Sequence, residues 1–229
     1  MRIGVLGTGI VGETLASAMV RAAQQVMMGS RTRDNEKAVT WAQRTGNGAA
    51  HGTFADAAAF GDCVFNCTAG AVSLEALAQA GPDALGGKVL VDVANPLDFS
   101  RGMPPTLTIC NTDSLGEQIQ RAYPQARVVK ALNTVNANVM VEPALVGSDH
   151  ALLVCGNDAG AKAQVASWLV EWFGWKPQSL VDLGDITGAR TTEMFVLLWV
   201  RLWGLLGTPH FGIQIAGPPA PSVPLDVTA

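Results

Sequence analysis

The chain has 229 residues, of which 48% are hydrophobic and 15% charged, and its formal net charge is −4 at pH 7. A chain of this length can bury a large core without disulfide or metal support, and its composition excludes intrinsic disorder. The slightly acidic balance offers no overall attraction to nucleic acid or to an anionic membrane surface, so we expect neither as a partner. Few charges combined with many apolar residues are typical of a chain that covers one surface with a partner subunit.

Nothing in the sequence predicts a targeting signal or a membrane span. The apolar stretch 3–6 is interrupted at once by Gly7 and is too short for the core of a signal peptide. The most apolar segment, residues 194–206, contains Arg201 and is shorter than the about 20 residues that a span needs. The cysteines form no CxxC pair and have no histidine at metal-ligand spacing, so we predict no metal site and expect Cys63 and Cys67 to be buried thiols. These features predict a cytoplasmic protein.

Short apolar runs alternate with amphipathic stretches, which predicts strands joined by helical crossovers. The predicted strands cover residues 2–6, 25–28, 49–51, 63–67, 88–93, 126–131, 150–155 and 178–182. The predicted helices cover residues 11–23, 34–44, 73–80, 114–122, 159–173 and 189–206, and Thr53 followed by Asp56 predicts a further helix N-cap. The pattern favours a Rossmann-type doubly wound parallel α/β sheet with a small C-terminal α/β extension.

A GxGxxG motif lies between the first predicted strand and the first predicted helix. Its residues are Gly7, Thr8, Gly9, Ile10, Val11 and Gly12. The first glycine permits the tight turn, the second lets a pyrophosphate approach the backbone, and the third lets helix and strand pack closely. Free N–H groups and the helix dipole then hold the phosphates. The motif therefore predicts a dinucleotide site.

Basic residues follow the second predicted strand, where an NAD site usually places a carboxylate. They are Arg31, Arg33 and Lys37, preceded by the hydroxyl of Ser30. A guanidinium can make paired charge-assisted bonds to the ribose 2′-phosphate, so the sequence favours NADP(H) over NAD(H). Asp34 leaves a contact to the ribose open as the alternative.

Longer stretches resemble a known family. They are GTGIVG with GSRTR, then VDVANPL (residues 91–97), VVKALNTVNANVM (residues 128–140) and the CGND step at Cys155. In these stretches the chain resembles the NADPH-dependent reductases of the deazaflavin coenzyme F-420, and it is similar to the oxidoreductase domain of STEAP-type metalloreductases. The resemblance covers residues 1 to about 215.

The resemblance implies where the cofactor binds. It implies an NADPH site formed by Thr8 to Gly12, Ser30, Arg31 and a nearby lysine. It also implies that three loops flank the nicotinamide: Cys67, Thr68 and Ala69; Ala94, Asn95 and Pro96; and Asn133 through Ala137. It places a flavin-like acceptor over the nicotinamide, against residues 209–215, and implies a homodimer.

The resemblance and the chain pattern together suggest an organisation in three parts. We predict a dinucleotide-binding domain over residues 1–136, an extension for dimerisation and acceptor binding over 137–216, and a proline-rich flexible tail over 217–229. The helix predicted at 189–206 is apolar on nearly every side and must be buried in a core or between subunits. This favours a homodimer. On the same helix, Arg190 and Glu193 are spaced to pair with each other.

Candidates for a catalytic acid are few. Reduction of a carbonyl needs a proton donor; the residues considered are His51, His150, His210, Tyr123 and Lys130. We expect His51 on an edge strand on the nucleotide-distal side and Tyr123 at a helix end. We interpret His150 as structural and Lys130 as structural or solvent-facing, and keep His210 as a candidate contact for the second substrate. No catalytic residue is assigned.

The scarcity of acids favours a ring acceptor, because a flavin or deazaflavin delocalises charge in its own ring system. Asn133 could orient a carboxamide or an acceptor carbonyl, since an amide both donates and accepts. We therefore predict an NADP(H)-dependent oxidoreductase that transfers hydride between NADPH and a deazaflavin or flavin-type acceptor. Two alternatives stay open: a reductase of a small carbonyl or imine, and a non-catalytic regulator that senses NADP(H).

Overall fold

The structure, a computed structural model, describes residues 1–217. Ten strands occur in that part of the chain: β1 (Arg2–Leu6), β2 (Gln25–Ser30), β3 (Ala49–Thr53), β4 (Cys63–Asn66), β5 (Val89–Asp92), β6 (Leu97–Asp98), β7 (Thr106–Leu107), β8 (Arg127–Lys130), β9 (Leu152–Gly156) and β10 (Leu180–Asp182). Eight of them form one sheet in the order β10-β9-β8-β5-β4-β1-β2-β3. β6 and β7 form a separate antiparallel hairpin.

Helices cover both faces of the sheet. They are α1 (Ile10–Arg21), α2 (Glu36–Thr45), α3 (Phe54–Phe60), α4 (Ser73–Ala80), α5 (Pro82–Leu85), α6 (Leu115–Ala122), α7 (Ala137–Val141), α8 (Ala159–Phe173) and α9 (Ala189–Leu206). The bounds of α4, α8 and α9 agree with the sequence prediction. The predicted cap at Thr53 is confirmed, because its side chain accepts from the Asp56 N–H and Asp56 bonds back to the Thr53 N–H.

The six strands β3-β2-β1-β4-β5-β8 are parallel, with the strand order of a doubly wound Rossmann-type fold. The predicted fold class is confirmed. β9, by contrast, runs antiparallel to β8. The only α-helix between them, α7, has 5 residues, and a length of about 7 Å cannot return the chain to the far edge of the sheet. The chain therefore enters β9 from the edge at which β8 ends.

Two apolar cores lie on opposite faces of the sheet. Met19 and Trp41 pack under α1 and α2 on one face, in a core that continues to α8. Leu77 and Ile119 belong to the core under α3, α4 and α6 on the other face. Because helices cover both faces, the part of the sheet open to a ligand is the edge at which the parallel strands end. The chain order reverses between β1 and β4, and such a switch point opens a crevice for ligands.

The strands beyond residue 137 continue the same sheet, so the division into parts 1–136 and 137–216 stays a prediction. The predicted tail 217–229 lies outside the described residues, apart from Gly217. None of the helices within residues 1–217 combines the length and apolarity needed to cross a membrane.

Candidate functional site

Two glycines of the turn between β1 and α1 are required by the protein itself. Gly7 has φ +115°, and a Cβ there would lie 2.6 Å from the carbonyl oxygen of Cys67. A Cβ on Gly12 would lie 2.2 Å from the carbonyl oxygen of Gly7. Because both obstacles are backbone atoms, no larger residue fits either position without a shift of the chain. These glycines hold the strand, the turn and the helix together.

Gly9 differs, because nothing in the protein requires a glycine there. Its φ of −79° and ψ of 179° suit any residue, and a Cβ would meet no atom within 4 Å. Gly9 is also the N-cap of α1, and no side chain caps this helix. The first N–H groups of an α-helix have no partner within the helix and favour an anion. Open space beside an uncapped helix start therefore fits the phosphates of a dinucleotide.

The loop after β2 presents one cation without an ion pair in the described part of the chain. Arg33 is engaged, with its Nη2 2.7 Å from Oδ2 of Asp56. Ser30 is buried and its hydroxyl donates to the carbonyl of Thr32, which shapes the loop. Arg31, by contrast, is exposed and makes no ion pair within residues 1–217. Of the two predicted arginines, Arg31 is the one whose guanidinium is available to a ligand.

Lys37 and His51 lie around the same region. Lys37, on α2, lines a cavity of about 380 Å³ together with Thr8, Gly9 and Ile10 of the glycine turn. His51 lies on the edge strand as expected, yet its Nδ1 is 3.0 Å from the carbonyl oxygen of Arg33. The structure thus corrects the expectation that His51 is remote from the nucleotide side, because a side chain on β3 reaches the loop of the neighbouring strand.

The loops after β1, β4, β5 and β8 touch one another at the edge of the sheet. Gly7 packs against Cys67, and a Cβ on Gly70 would lie 2.2 Å from the carbonyl oxygen of Asn95. Asn95 Nδ2 donates to the carbonyl of Asn133 at 2.8 Å, and Asn133 Nδ2 donates to Asn95 Oδ1 at 3.0 Å. These contacts bring together the loops that, by the family resemblance, flank the nicotinamide. Their predicted members are Cys67, Thr68, Ala69, Ala94, Asn95, Pro96, Asn133 and, at the start of α7, Ala137.

Asn133 carries an unsatisfied acceptor. The residue is buried, and its Oδ1 has no hydrogen-bond partner although its Nδ2 is held by Asn95. Leu132, immediately before it, adopts φ +66°, a conformation that costs energy in a residue other than glycine. Backbone strain beside an unpaired buried acceptor is typical of a position kept for a ligand. A carboxamide N–H is a group that this oxygen could accept from.

A buried polar network that sequence reasoning missed lies beneath these loops. Asn66 Nδ2 donates to Ser73 Oγ at 3.1 Å and to Asp92 Oδ1 at 2.8 Å. Lys130 Nζ lies 2.8 Å from Asp92 Oδ2 and 2.7 Å from Glu193 Oε1. The sequence held part of the signal, because the apolar strands VLVD and RVVK each end in a charge. That Asp92 and Lys130 are register partners is seen only in the folded sheet.

The network decides one expectation and corrects another. Lys130 is fully buried, which excludes the solvent-facing alternative. Arg190 and Glu193 do not pair with each other: Arg190 binds Glu117 at 2.6 Å, while Glu193 also accepts from the N–H groups at the start of α6. Side chains three apart on a helix pair only when no better partner is packed against them, and here α6 offers one to each.

Three candidate proton donors remain, and one of them lies beside the loops of the site. Tyr123 ends α6 near the start of β8, at the edge opposite the glycine turn. His150 is buried against Trp175, with ring centroids 4.9 Å apart, and its Nδ1 is 3.0 Å from the carbonyl oxygen of Ser148. His210 is exposed, and its Nε2 lies 3.5 Å from Nδ2 of Asn138 on α7. Of the three, His210 is the one beside the loops of the site.

The thiols agree with the expectation of burial at Cys63 and Cys67. Burial raises the pKa of Cys63 to about 12 and raises that of Cys67 further still. Cys67 therefore stays a neutral thiol beside the glycine turn and supplies no nucleophile or base at neutral pH.

Comparisons with known proteins identify the family of this chain. Residues 2–96 match the family model described as NADP oxidoreductase coenzyme F420-dependent. A crystal structure from Arthrobacter sp. FB24, provisionally named an F420-dependent NADP reductase, is 50% identical, with a TM-score of 0.89, and the match covers 95% of this chain and 100% of that one. The metalloreductase STEAP3 of Rattus norvegicus is 28% identical over 205 residues. That match covers 88% of this chain and 38% of STEAP3, so the chain spans well under half of this curated relative. An imine reductase from Aspergillus terreus shares the fold at 19% identity, with a TM-score of 0.62 over 90% of this chain and 62% of that one.

A doubly wound sheet with this glycine turn at its switch point is typical of a dinucleotide-binding protein. The chain belongs to the family of NADP oxidoreductases described as coenzyme F420-dependent. It is an enzyme that works with NADP(H).

Proposed function

We propose that this protein, as a cytoplasmic homodimer, transfers a hydride between NADPH and a deazaflavin or flavin-type acceptor. The choice of acceptor rests on which side chains occur in the loops beside the proposed nicotinamide position. Residues 67–70, 94–96 and 132–137 contain amides, hydroxyls and apolar groups, and their one ionisable side chain is the inert thiol of Cys67. A carbonyl would need a proton donor there. A flavin-type ring needs mainly orientation and exclusion of water.

The residues present fit NADP(H) along the whole edge of the sheet. The uncapped start of α1, with Thr8, Ile10 and Val11 in the turn, would bind the diphosphate through backbone N–H groups. Arg31 would bind the 2′-phosphate, with Ser30 shaping the loop and Lys37 approaching from α2. Arg33 would contribute only by leaving Asp56.

The nicotinamide half would lie among the loops after β4, β5 and β8. There the free Oδ1 of Asn133 would accept from the carboxamide and fix which face of the ring is presented. When bound, NADPH supplies the hydride. The chain supplies a rigid, largely apolar surround in which the amides of Asn95 and Asn133 orient each other.

An aromatic surface formed by α9 and the segment after it supports a planar acceptor. Trp199 stacks on Phe211, with ring centroids 5.3 Å apart and an angle of 18° between the planes, and Trp203 lies next to them. The segment that carries Phe211 is attached to the sheet, because the Ala151 N–H donates to the carbonyl of Ile213 at 2.7 Å. Aromatic faces favour stacking with a planar ring.

The apolar face of α9 supports the homodimer. Leu198 and Leu205 are 53% and 80% exposed, and Trp203 and Leu206 continue the same exposed surface. A contiguous apolar patch is costly in water and is typical of an interface. A second subunit, one of the two ways to bury this helix that the sequence allowed, would cover this exposed face.

One observation favours a second candidate function, reduction of a small carbonyl or imine. His210 lies near Asn138, at the edge of the nicotinamide loops, and is a titratable group that could donate a proton. In that case His210→Asn would abolish turnover of such substrates while leaving NADPH binding unchanged.

The test is a substrate panel. Purified protein with NADPH would be offered the deazaflavin, free flavins, carbonyls and imines while the absorbance of the reduced nicotinamide is followed. We expect oxidation with the deazaflavin or a flavin, at a rate that His210→Asn changes little. Turnover confined to carbonyls or imines would overturn the proposed acceptor, and tight NADPH binding with no turnover of any substrate would indicate a sensor.

A further inference from the structure

We infer that Lys130 is a positioning residue for the nicotinamide half of the site. Its ammonium, buried between two carboxylates, holds the loop after β5 in place, and that loop sets the orientation of the Asn133 amide. The inference rests on the proposed function, in which the nicotinamide lies among these loops, and it gives a role to a buried charge that hydride transfer itself does not use.

Each of the three hydrogen-bond donors of the Lys130 ammonium has an acceptor. It is completely buried, and an ammonium has three donors. One donor goes to Asp92 at 2.8 Å, one to Glu193 at 2.7 Å, and one to the carbonyl of Ala94. The three acceptors belong to β5, to α9 and to the loop after β5. Lys130, at the end of β8, therefore joins β5 with its following loop and α9 at one point.

Ala94 is held on both sides of its residue. Its carbonyl accepts from Lys130, and its N–H donates to Asp92 Oδ1 at 3.2 Å. The same Oδ1 accepts from Asn66, so the carboxylate is itself fixed. The ion pair thus clamps the peptide groups on either side of Ala94, which leaves the following residue, Asn95, little freedom.

Asn95 connects the fixed Ala94 peptide groups to Asn133, the proposed ligand contact. Its side chain exchanges hydrogen bonds with Asn133, donating to the carbonyl and accepting from Nδ2. Because Nδ2 of Asn133 is engaged in this way, Oδ1 is the atom left to accept from a ligand. A displaced loop would release the amide, and the unpaired oxygen would lose its fixed direction.

Stability alone does not account for this arrangement. A buried ion pair often contributes no more than apolar residues of the same volume, because its desolvation offsets the attraction. Here two carboxylates surround one ammonium, and Glu193 accepts in addition from the N–H groups of Leu115 and Gly116. What the charges provide, and apolar groups of the same size could not, is a directed hydrogen bond to the carbonyl of Ala94.

The chain offers a matched control in Lys162. It is also buried, pairs with Asp182 at 2.7 Å and donates to the carbonyl of Gly184 at 2.9 Å, on the far side of β9. Lys130→Met and Lys162→Met each remove a buried ammonium from an ion pair and from a backbone carbonyl, with two carboxylates at Lys130 and one at Lys162. The first lies beneath the loops and the second away from them. Any general effect of losing a buried lysine appears in both variants.

The experiment compares two ligands by calorimetry, NADPH and 2′,5′-ADP, which is the adenosine half without nicotinamide. We expect Lys130→Met to bind NADPH at least tenfold more weakly and to bind 2′,5′-ADP within twofold of the wild type. Lys162→Met should bind both as the wild type does. Turnover of Lys130→Met should fall by about 100-fold, as for a reactant misplaced by about 1 Å.

Asn95→Ala keeps the test decisive if Lys130→Met fails to fold. It cuts the link to Asn133 and leaves the ion pair intact, so the same split between the two ligands is expected. If the folded variants bind NADPH as the wild type does, or lose affinity for both ligands equally, the inference about Lys130 is overturned while the proposed function stands. A wild-type protein that binds neither ligand would overturn the proposed function, and the inference with it.

Discussion

Alanine substitutions at Gly9 and Gly12 separate what a bound dinucleotide needs from what the fold needs. At Gly9 the backbone suits any residue and an added Cβ meets no atom within 4 Å. At Gly12 the Cβ would lie 2.2 Å from a backbone oxygen of Gly7, so the backbone itself would have to shift. We therefore expect Gly9→Ala to fold normally and lose binding, and Gly12→Ala to lose stability.

The sizes of the two effects follow from the local geometry. At Gly9, alanine gains about 0.4–1 kcal/mol by reducing the entropy of the unfolded chain and loses up to about 1 kcal/mol as a poorer N-cap, so the free energy of unfolding should stay within about 1 kcal/mol of the wild type. At Gly12, the gain in helix propensity of about 1 kcal/mol is smaller than an overpacking cost of about 1–3 kcal/mol or more, and we expect a net loss.

Urea denaturation and NADPH titration of both variants test this reasoning. A Cβ on Gly9 would occupy the space through which the diphosphate approaches the backbone, so NADPH should bind at least tenfold more weakly, or about 1.4 kcal/mol. Wild-type affinity in Gly9→Ala would show that no phosphate lies against this residue. A loss of stability as large as that of Gly12→Ala would show that the fold itself requires the glycine.

Four further predictions concern other parts of the molecule. Arg31→Ala should weaken NADPH binding by ten- to hundredfold, since a hydrogen bond to a charged group contributes about 1.5–3 kcal/mol, and should leave NADH binding nearly unchanged. Cys110 is the exposed thiol, so at neutral pH a thiol reagent should modify one of the four cysteines in the native protein and all four after denaturation. The hydrogen bond from Arg190 holds the pKa of Glu117 below its ordinary 4.5, so the stability that Glu117 contributes is present above pH 4.5 and is lost as the pH falls through the lowered pKa. The free energy of unfolding of Glu117→Gln should therefore fall less between pH 7 and acidic pH than that of the wild type. Leu198→Glu, on the exposed face of α9, should convert a dimer into a monomer in light scattering.

Each of these has a control or a contrary result. Arg33→Ala, whose side chain already binds Asp56, should affect NADPH less than Arg31→Ala, and equal losses of NADPH and NADH would overturn the role of Arg31. Rapid modification of more than one native thiol would contradict the burial of the others. Parallel pH profiles for the wild type and Glu117→Gln would contradict the lowered pKa. A wild-type protein that is already monomeric would refute the dimer.

Features specified by neighbouring residues were predictable. The bounds of α4, α8 and α9 and the cap at Thr53 follow from spacings of three and four residues, which helix geometry imposes on the sequence itself. The glycine turn was equally clear, because its three glycines lie within six residues of one another. The family resemblance also gathered the loops after β4, β5 and β8 around one position. Its assignment of a ligand contact to each member stays a prediction.

Features that depend on packing between distant residues were not predictable. Lys130 and Asp92 are 38 residues apart and meet because β5 and β8 are neighbours in register. Glu193 turns to them rather than to Arg190 because α9 packs against α6, and the direction of β9 depends on how short the preceding helix is.

By itself, the sequence determined the fold class, most helix positions and the dinucleotide turn, since each is written in a short stretch of chain. Only the tertiary structure decided which arginine is available at the tip of β2, which charges are buried together and which amide oxygen is left without a partner. Those outcomes are set by the surroundings that folding assembles around a side chain, and a polar group has a definite partner only once the segments that compete for it are packed in place.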